Sequence, residues 1–134
     1  LDGASGTSDR EAVTVTLGAA ELHGELVTPP RAVGLVVFAP GGGGGRASPR
    51  NRHIAAHLRR HRIATLMVDL LTDEEKAVDR VSQALRFDIG RLAGRLVAIE
   101  AWASGRLGER LPLGLFGTNT GAAAALLAAA RRGN

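Results

Sequence analysis

Polar and apolar residues alternate along AVTVTLGAAELHGELVTP, on both sides of Gly18. A period of two puts every second side chain on one face, so this stretch predicts an antiparallel hairpin with one face in solvent. The pattern then changes. AVGLVVFAP, IATLMVDL and ERLPLGLFG are almost continuously apolar, as expected for strands covered on both faces in a parallel sheet. Between them the spacing turns helical. Ile54, Ala55 and Leu58 point inward from a helix over about residues 50–61, Leu92, Leu96, Ile99 and Trp102 recur at helical spacing, and NTGAAAALLAAARR follows the last run. The alternation predicts an α/β fold, an antiparallel hairpin followed by parallel strands with helices on both faces. LTDEEKAVDRVSQALRFDI is charged and reads as irregular. Residues 1–10, small and polar, read as a disordered lead, leaving 11–134 as the domain.

Composition narrows the classes. The 134 residues contain no cysteine, which excludes a disulfide framework, a thiolate nucleophile and cysteine zinc ligands. The length suffices for one domain with a core of its own. A net charge of +4 comes almost wholly from arginine, with Lys76 the single lysine. Arg46, Arg50, Arg52, Arg59, Arg60 and Arg62 cluster, which raises nucleic acid as a partner. One tryptophan, three phenylalanines and no tyrosine leave little for base stacking, so no nucleic acid partner is expected. The first residues have neither the basic start nor the apolar core of a secretory signal, and no apolar run reaches bilayer length, so a soluble, cytoplasmic chain without a membrane partner is expected.

The stretch LPLGLFGTNTGAAAALLAAARRGN carries the chemistry. An apolar strand turns into an alanine-rich helix with Asn119 at the apex between Gly117 and Gly121. Glycines two before and two after an apex let strand and helix approach closely, and with serine at the apex the pattern is the nucleophile elbow GxSxG. The helix places its positive dipole end there, and the backbone N–H of the following residue, Thr120, is directed at a substrate oxygen. The competing reading is an ordinary strand-to-helix turn with Asn119 as N-cap, a role asparagine fills well.

With these residues the chain resembles the dienelactone hydrolase-like branch of the α/β-hydrolase superfamily. The resemblance runs through VVFAPGGGGGRASPRNRHIAAHL, ATLMVDLLTDEE, LRFDIGRLAGRLVAIEAW and LGLFGTNTGAAAALLAAA, in that order. It implies the N-terminal part of an α/β-hydrolase fold, hydrolysis of carboxylic esters or lactones by a serine or cysteine nucleophile, a small-molecule ester or lactone as partner, and no cofactor or metal. It places Asn119 at the nucleophile position, Gly117 and Gly121 as elbow glycines, and Gly42 and Thr120 as oxyanion-hole residues. Two departures follow. Pro40 stands where the family has the histidine of a His-Gly pair. The apex is asparagine, whose amide nitrogen has its lone pair tied to the carbonyl and cannot form an acyl-enzyme. The acid and histidine of the triad follow the nucleophile in the family's chain order, and the sequence stops at Asn134 before either. An incomplete domain, catalytically defective and associating through an exposed sheet edge, is therefore expected.

Other features admit rival readings. Gly41 and Gly45 bound five consecutive glycines, and GGGGRA satisfies a relaxed dinucleotide-binding pattern after a buried strand, with Asp69 ending the next strand where a ribose-binding acid would sit. A nucleotide-binding Rossmann-like domain is the alternative function. Against it, Ser48 and Pro49 start the helix after the glycines instead of within them. His53, His57 and His61 share a helical face and read as exposed polar residues before they read as metal ligands. Asp69, Asp73, Glu74 and Glu75, like Arg86 and Asp88, read as capping or solvated groups. Trp102 reads as core.

Overall fold

A computed structural model describes residues 8–40, 48–108, 111–118 and 120–131. The hairpin is strands β1 (Asp9–Leu17) and β2 (Ala20–Thr28), and its two-residue turn needs Gly18, whose φ of 63° is left-handed. β3 (Gly34–Ala39) leads to helix α1 (Pro49–Arg60), and β4 (Ile63–Val68) to helix α2 (Asp73–Ser82) and a short 3-10 turn over Leu85–Phe87. Helix α3 (Ile89–Leu107), β5 (Leu113–Gly117) and helix α4 (Thr120–Arg131) complete the order. The sheet runs β1-β2-β4-β3-β5. β3 pairs in parallel with both β4 and β5, with Val37 opposite Leu66 on one side and Leu115 on the other. β2 joins this parallel core antiparallel to β4, so the predicted hairpin closes one edge and β5 forms the other.

Alternation within the central strands divides the core. Val37, Leu66, Val68, Val15 and Leu22 face α3 and α4, where Leu92, Leu96, Ile99, Ala124 and Ala128 are fully buried against them. Phe38 and Met67 point the other way, onto Ala55, Ile54 and Leu58 of α1. The expected helices on both faces are present. Trp102, expected in the core, is half-buried at its margin with the Arg106 guanidinium 5.5 Å from its ring. No helix among the described residues is long and apolar enough to cross a membrane.

Three expectations are corrected. Asp9 and Arg10, placed in a disordered lead, pair with Thr28 and Val27 in β1, and residues 1–7 of that lead lie outside the described residues. The stretch read as irregular contains α2. Thr72 and Glu75 form a reciprocal capping box at its start, Thr72 Oγ1 accepting from Glu75 N at 3.1 Å and Glu75 Oε1 from Thr72 N at 2.9 Å. The helix lacks an apolar stripe, because Val78 and Val81 are exposed and Asp79 is its buried residue. Asp69 and Glu75, read as capping or solvated groups, do more: Glu75 caps α2 as expected, and both carboxylates are held in ion pairs. Asp69 is buried with Lys76 Nζ at 2.6 Å, and Glu75 takes both amino groups of Arg95 at 2.5 and 2.9 Å.

Arg95 also donates to the Leu70 carbonyl at 2.7 Å. One guanidinium thus ties α3 to the loop after β4 and to the first turn of α2, and Asp79 completes the clamp by accepting from Arg86 Nε at 2.8 Å. Hydrogen bonding from Arg95 is the main reason the Glu75 carboxyl is lowered from 4.5 to about 2, with smaller help from the Thr72 backbone, against the opposing effect of burial. A carboxyl more acidic in the folded chain stabilises it above its unfolded pKa and loses that contribution as pH falls through the folded one. Full linkage would be worth about 3 kcal/mol; because water reaches the pair, about 1–2 kcal/mol is expected. Urea unfolding should therefore show Glu75→Gln less stable than the parent at pH 7. The difference should shrink as pH falls from about 4.5 towards 2; a pH-independent difference would assign it to something other than this ion pair.

Candidate active site

Parallel strands β3 and β5 end side by side, Ala39 opposite Gly117. At that carboxyl edge two residues separate the end of β5 from the start of α4. Thr118 O closes the reversal by accepting from Gly121 N at 2.8 Å and Ala122 N at 3.3 Å. The reversal is tight enough to exclude side chains at both flanking glycines. A Cβ at Gly117 would lie 2.5 Å from the Gly121 carbonyl oxygen and 2.8 Å from Ala122 Cα. A Cβ at Gly121 would overlap the Ala39 carbonyl and lie 2.8 Å from the Pro40 carbonyl carbon. Backbone from β3, β5 and the first turn of α4 is thus in direct contact. An ordinary capped turn does not require this of both glycines.

Of the residues singled out from the sequence, Gly117, Thr120 and Gly121 lie together at this junction, with Thr120 opening α4. Asn119 and Gly42 lie outside the described residues, as does the whole glycine segment 41–47. Helices α1 and α4 both start at the carboxyl edge, on opposite faces of the sheet, and each directs the positive end of its dipole there. That arrangement suits the negative charge of an addition intermediate.

The described histidines stand away from it. His23 is level with the carboxyl end of β4, its carbonyl accepting from Asp69 N at 3.0 Å. Its strand is three places from β5, about 14 Å across the sheet. Its ring lies 3.3 Å from Thr14 Oγ1 and 3.6 Å from Asp73. His53, His57 and His61 occupy the exposed side of α1, the last two with ring centroids 5.1 Å apart. Among the described residues no group of three or more His, Cys, Asp or Glu could hold a metal ion. Asp69, the acid that a ribose-binding reading would use, is 5% exposed and held by Lys76. The sequence reading missed that pair, whose one signal was the single lysine seven residues beyond a strand-ending aspartate.

Comparison with known proteins follows this geometry. The structure matches dienelactone hydrolase from Anabaena variabilis with a TM-score of 0.90 and 46% identity, over 95% of this chain and 59% of that one. An α/β hydrolase from Penicillium gives 0.73 at 22% identity, covering 91% and 42%. A dienelactone hydrolase-like promiscuous phosphotriesterase from metagenomic libraries gives 0.63 at 23%, covering 92% and 54%. The likeness to the last two is one of fold. Two Mycobacterium tuberculosis proteins bearing a provisional phosphoribosyl transferase name are 44% identical over 121 residues, which are 90% of this chain and 26% of theirs. No protein-family profile matches the chain. The chain has part of an α/β-hydrolase fold, and it spans about a quarter of the curated relatives and three-fifths of the dienelactone hydrolase.

The steric argument sets two glycines apart from a third. Gly121→Ala should cost at least ~3 kcal/mol, because its methyl group meets backbone that cannot rotate aside. Gly114→Ala in β5, where a Cβ would meet nothing closer than 3.9 Å, should stay within about 1 kcal/mol of the parent. Thermal unfolding of both variants checks the pair, and equal losses would contradict the close approach.

Proposed function

We propose that this chain is the elbow-bearing part of a dienelactone hydrolase-like enzyme for carboxylic esters or lactones, with an asparagine at the nucleophile position. The observation that carries the reading is the mutual exclusion of side chains at Gly117 and Gly121, in a chain 46% identical to a dienelactone hydrolase. On this reading the chain from Asp9 onward belongs to one hydrolase domain, residues 117–121 are the nucleophile elbow, and the backbone N–H groups of Gly42 and Thr120 form the oxyanion hole. The substrate carbonyl sits between them at the carboxyl edge of the sheet.

The same reading makes the chain inert in acyl transfer. Attack on an ester carbonyl needs a lone pair on a group that can lose a proton to a base. The Asn119 amide has neither an available pair on nitrogen nor an ionisable proton, and the nearest strand histidine, His23, is three strands from β5. The transferase name of the mycobacterial proteins belongs to chains of which this one spans 26%, and we attach no transferase step to it. The nucleotide-binding alternative loses support from Asp69, whose carboxylate is occupied by Lys76.

p-Nitrophenyl acetate tests the reading. The chain should hydrolyse it no faster than buffer, and Asn119→Ser alone should recover little, since an unassisted hydroxyl at neutral pH is a poor nucleophile; robust turnover by either protein contradicts the assignment. NAD and ATP should leave the melting temperature unchanged, whereas a rise would favour the nucleotide-binding alternative.

We also propose that β5 mediates self-association. It is the outer strand of the described sheet, it carries no charged residue, and α4 exposes Leu126 beside it. Uncharged edges recruit further strands. Sedimentation should show association that Gly114→Lys reverses, and a monomeric parent chain would count against the edge.

A further inference from the structure

We infer that the last turn of α1 binds a divalent transition-metal ion of the zinc class between the rings of His57 and His61, with water in the ion's other positions. The pair lies at the far end of α1 from the carboxyl edge of the sheet, roughly 18 Å along its 12 residues. Nothing about it depends on the hydrolase reading.

Spacing comes first. Residues four apart on a helix are neighbours on one face, and two histidines so placed can share a zinc ion. His53, His57 and His61 follow that spacing and are all exposed. Among the described residues the ring contact is between the second pair, whose centroids are 5.1 Å apart and whose planes are inclined at 57°, so they are not stacked face to face. That separation can be checked against coordination chemistry. An imidazole nitrogen sits about 1.1 Å from its ring centre and about 2.1 Å from a bound zinc, so two imidazoles on one tetrahedral ion have centres about 5.2 Å apart. Rotation of two exposed rings is enough to aim a nitrogen of each at a common point, and the backbone need not move.

Availability comes second. His23 is engaged by Thr14 and Asp73, whereas the rings of His57 and His61 have no hydrogen-bond or ion-pair partner among the described residues. The C-terminal end of a helix also carries partial negative charge and favours a cation. Arg59 is turned inward, its Nη1 donating to Thr65 Oγ1 at 3.0 Å. Arg60 and Arg62 are exposed, and their charges oppose a dication only through screening solvent. No third histidine, aspartate or glutamate completes the set among the described residues. Two nitrogen ligands and that repulsion give a modest affinity, in the high-micromolar range.

The two ligands belong to different parts of the backbone. His57 is helical, while His61 is the cap, its N–H donating to Leu58 O at 2.9 Å. Arg62, next in the chain, has a left-handed φ of 64° and leads into β4. A bound ion clips the helix to the reversal that enters the sheet, and by binding the folded chain it stabilises that chain.

The test is a titration of the 134-residue chain with zinc chloride in a non-chelating buffer, following the ring Cε1–H signals of its four histidines. Magnesium chloride at equal ionic strength is the control, because magnesium prefers oxygen ligands. Saturable shifts of His57 and His61 at one ion per chain are expected, with a rise in melting temperature that magnesium does not produce. His57→Gln and His61→Gln should each weaken binding about 10-fold or more, since a single imidazole no longer chelates, and His53→Gln should change it less than about 2-fold. All three side chains are exposed, so the variants should fold as the parent does. An equal loss in His53→Gln would mean a diffuse histidine face, and shifts led by His23 would move the ion to the His23–Asp73 pair. Either result, or the lack of a saturable shift, overturns the site.

Discussion

Everything at the carboxyl edge of the sheet depends on how closely three backbone segments approach one another. Gly121 touches the last residues of β3, and Gly117 touches the first turn of α4. A single methyl group at either position would drive helix from strand. The contact couples the crossover after β3 to the reversal after β5, so two segments far apart in sequence share one geometry. The contact rests on backbone atoms of residues 39, 40, 121 and 122.

Away from that edge the molecule is held by two kinds of force. Apolar burial organises the sheet and the faces of α1, α3 and α4. Alanines at 124 and 128 let α4 lie close to α3 near Ala93, and Arg131 closes the pair by donating to the Gly90 carbonyl at 2.9 Å. Helix α2 is different. It is fixed by Glu75 to Arg95, by Lys76 to Asp69 and by Asp79 to Arg86. Ion pairs of this kind hold position well but add little net stability where water reaches them, so α2 is positioned by charge more than by apolar burial.

The contrast explains what could be read along the chain. The hairpin, the three buried strands and the faces of α1 and α3 were legible because side-chain period and burial coincide there. Helix α2 was not, because its apolar residues Val78 and Val81 face solvent and its buried residue is an aspartate; the Thr72–Glu75 capping signature was the available clue. Gly117 and Gly121 were legible as a spaced pair, and the coordinates supply the physical reason for the spacing. The burial of Asn51 and the pairing of Asp69 with Lys76 depend on neighbours brought together only by the tertiary fold, which no local pattern encodes.

The chain's one lysine is also the one that bridges α2 to the end of β4. Its ammonium must leave Asp69 before its nitrogen can attack an acylating reagent. Covalent labelling of that side-chain amine therefore reports the opening of one ion pair between α2 and the end of β4, readable by mass in a protein whose other basic side chains are arginine and histidine.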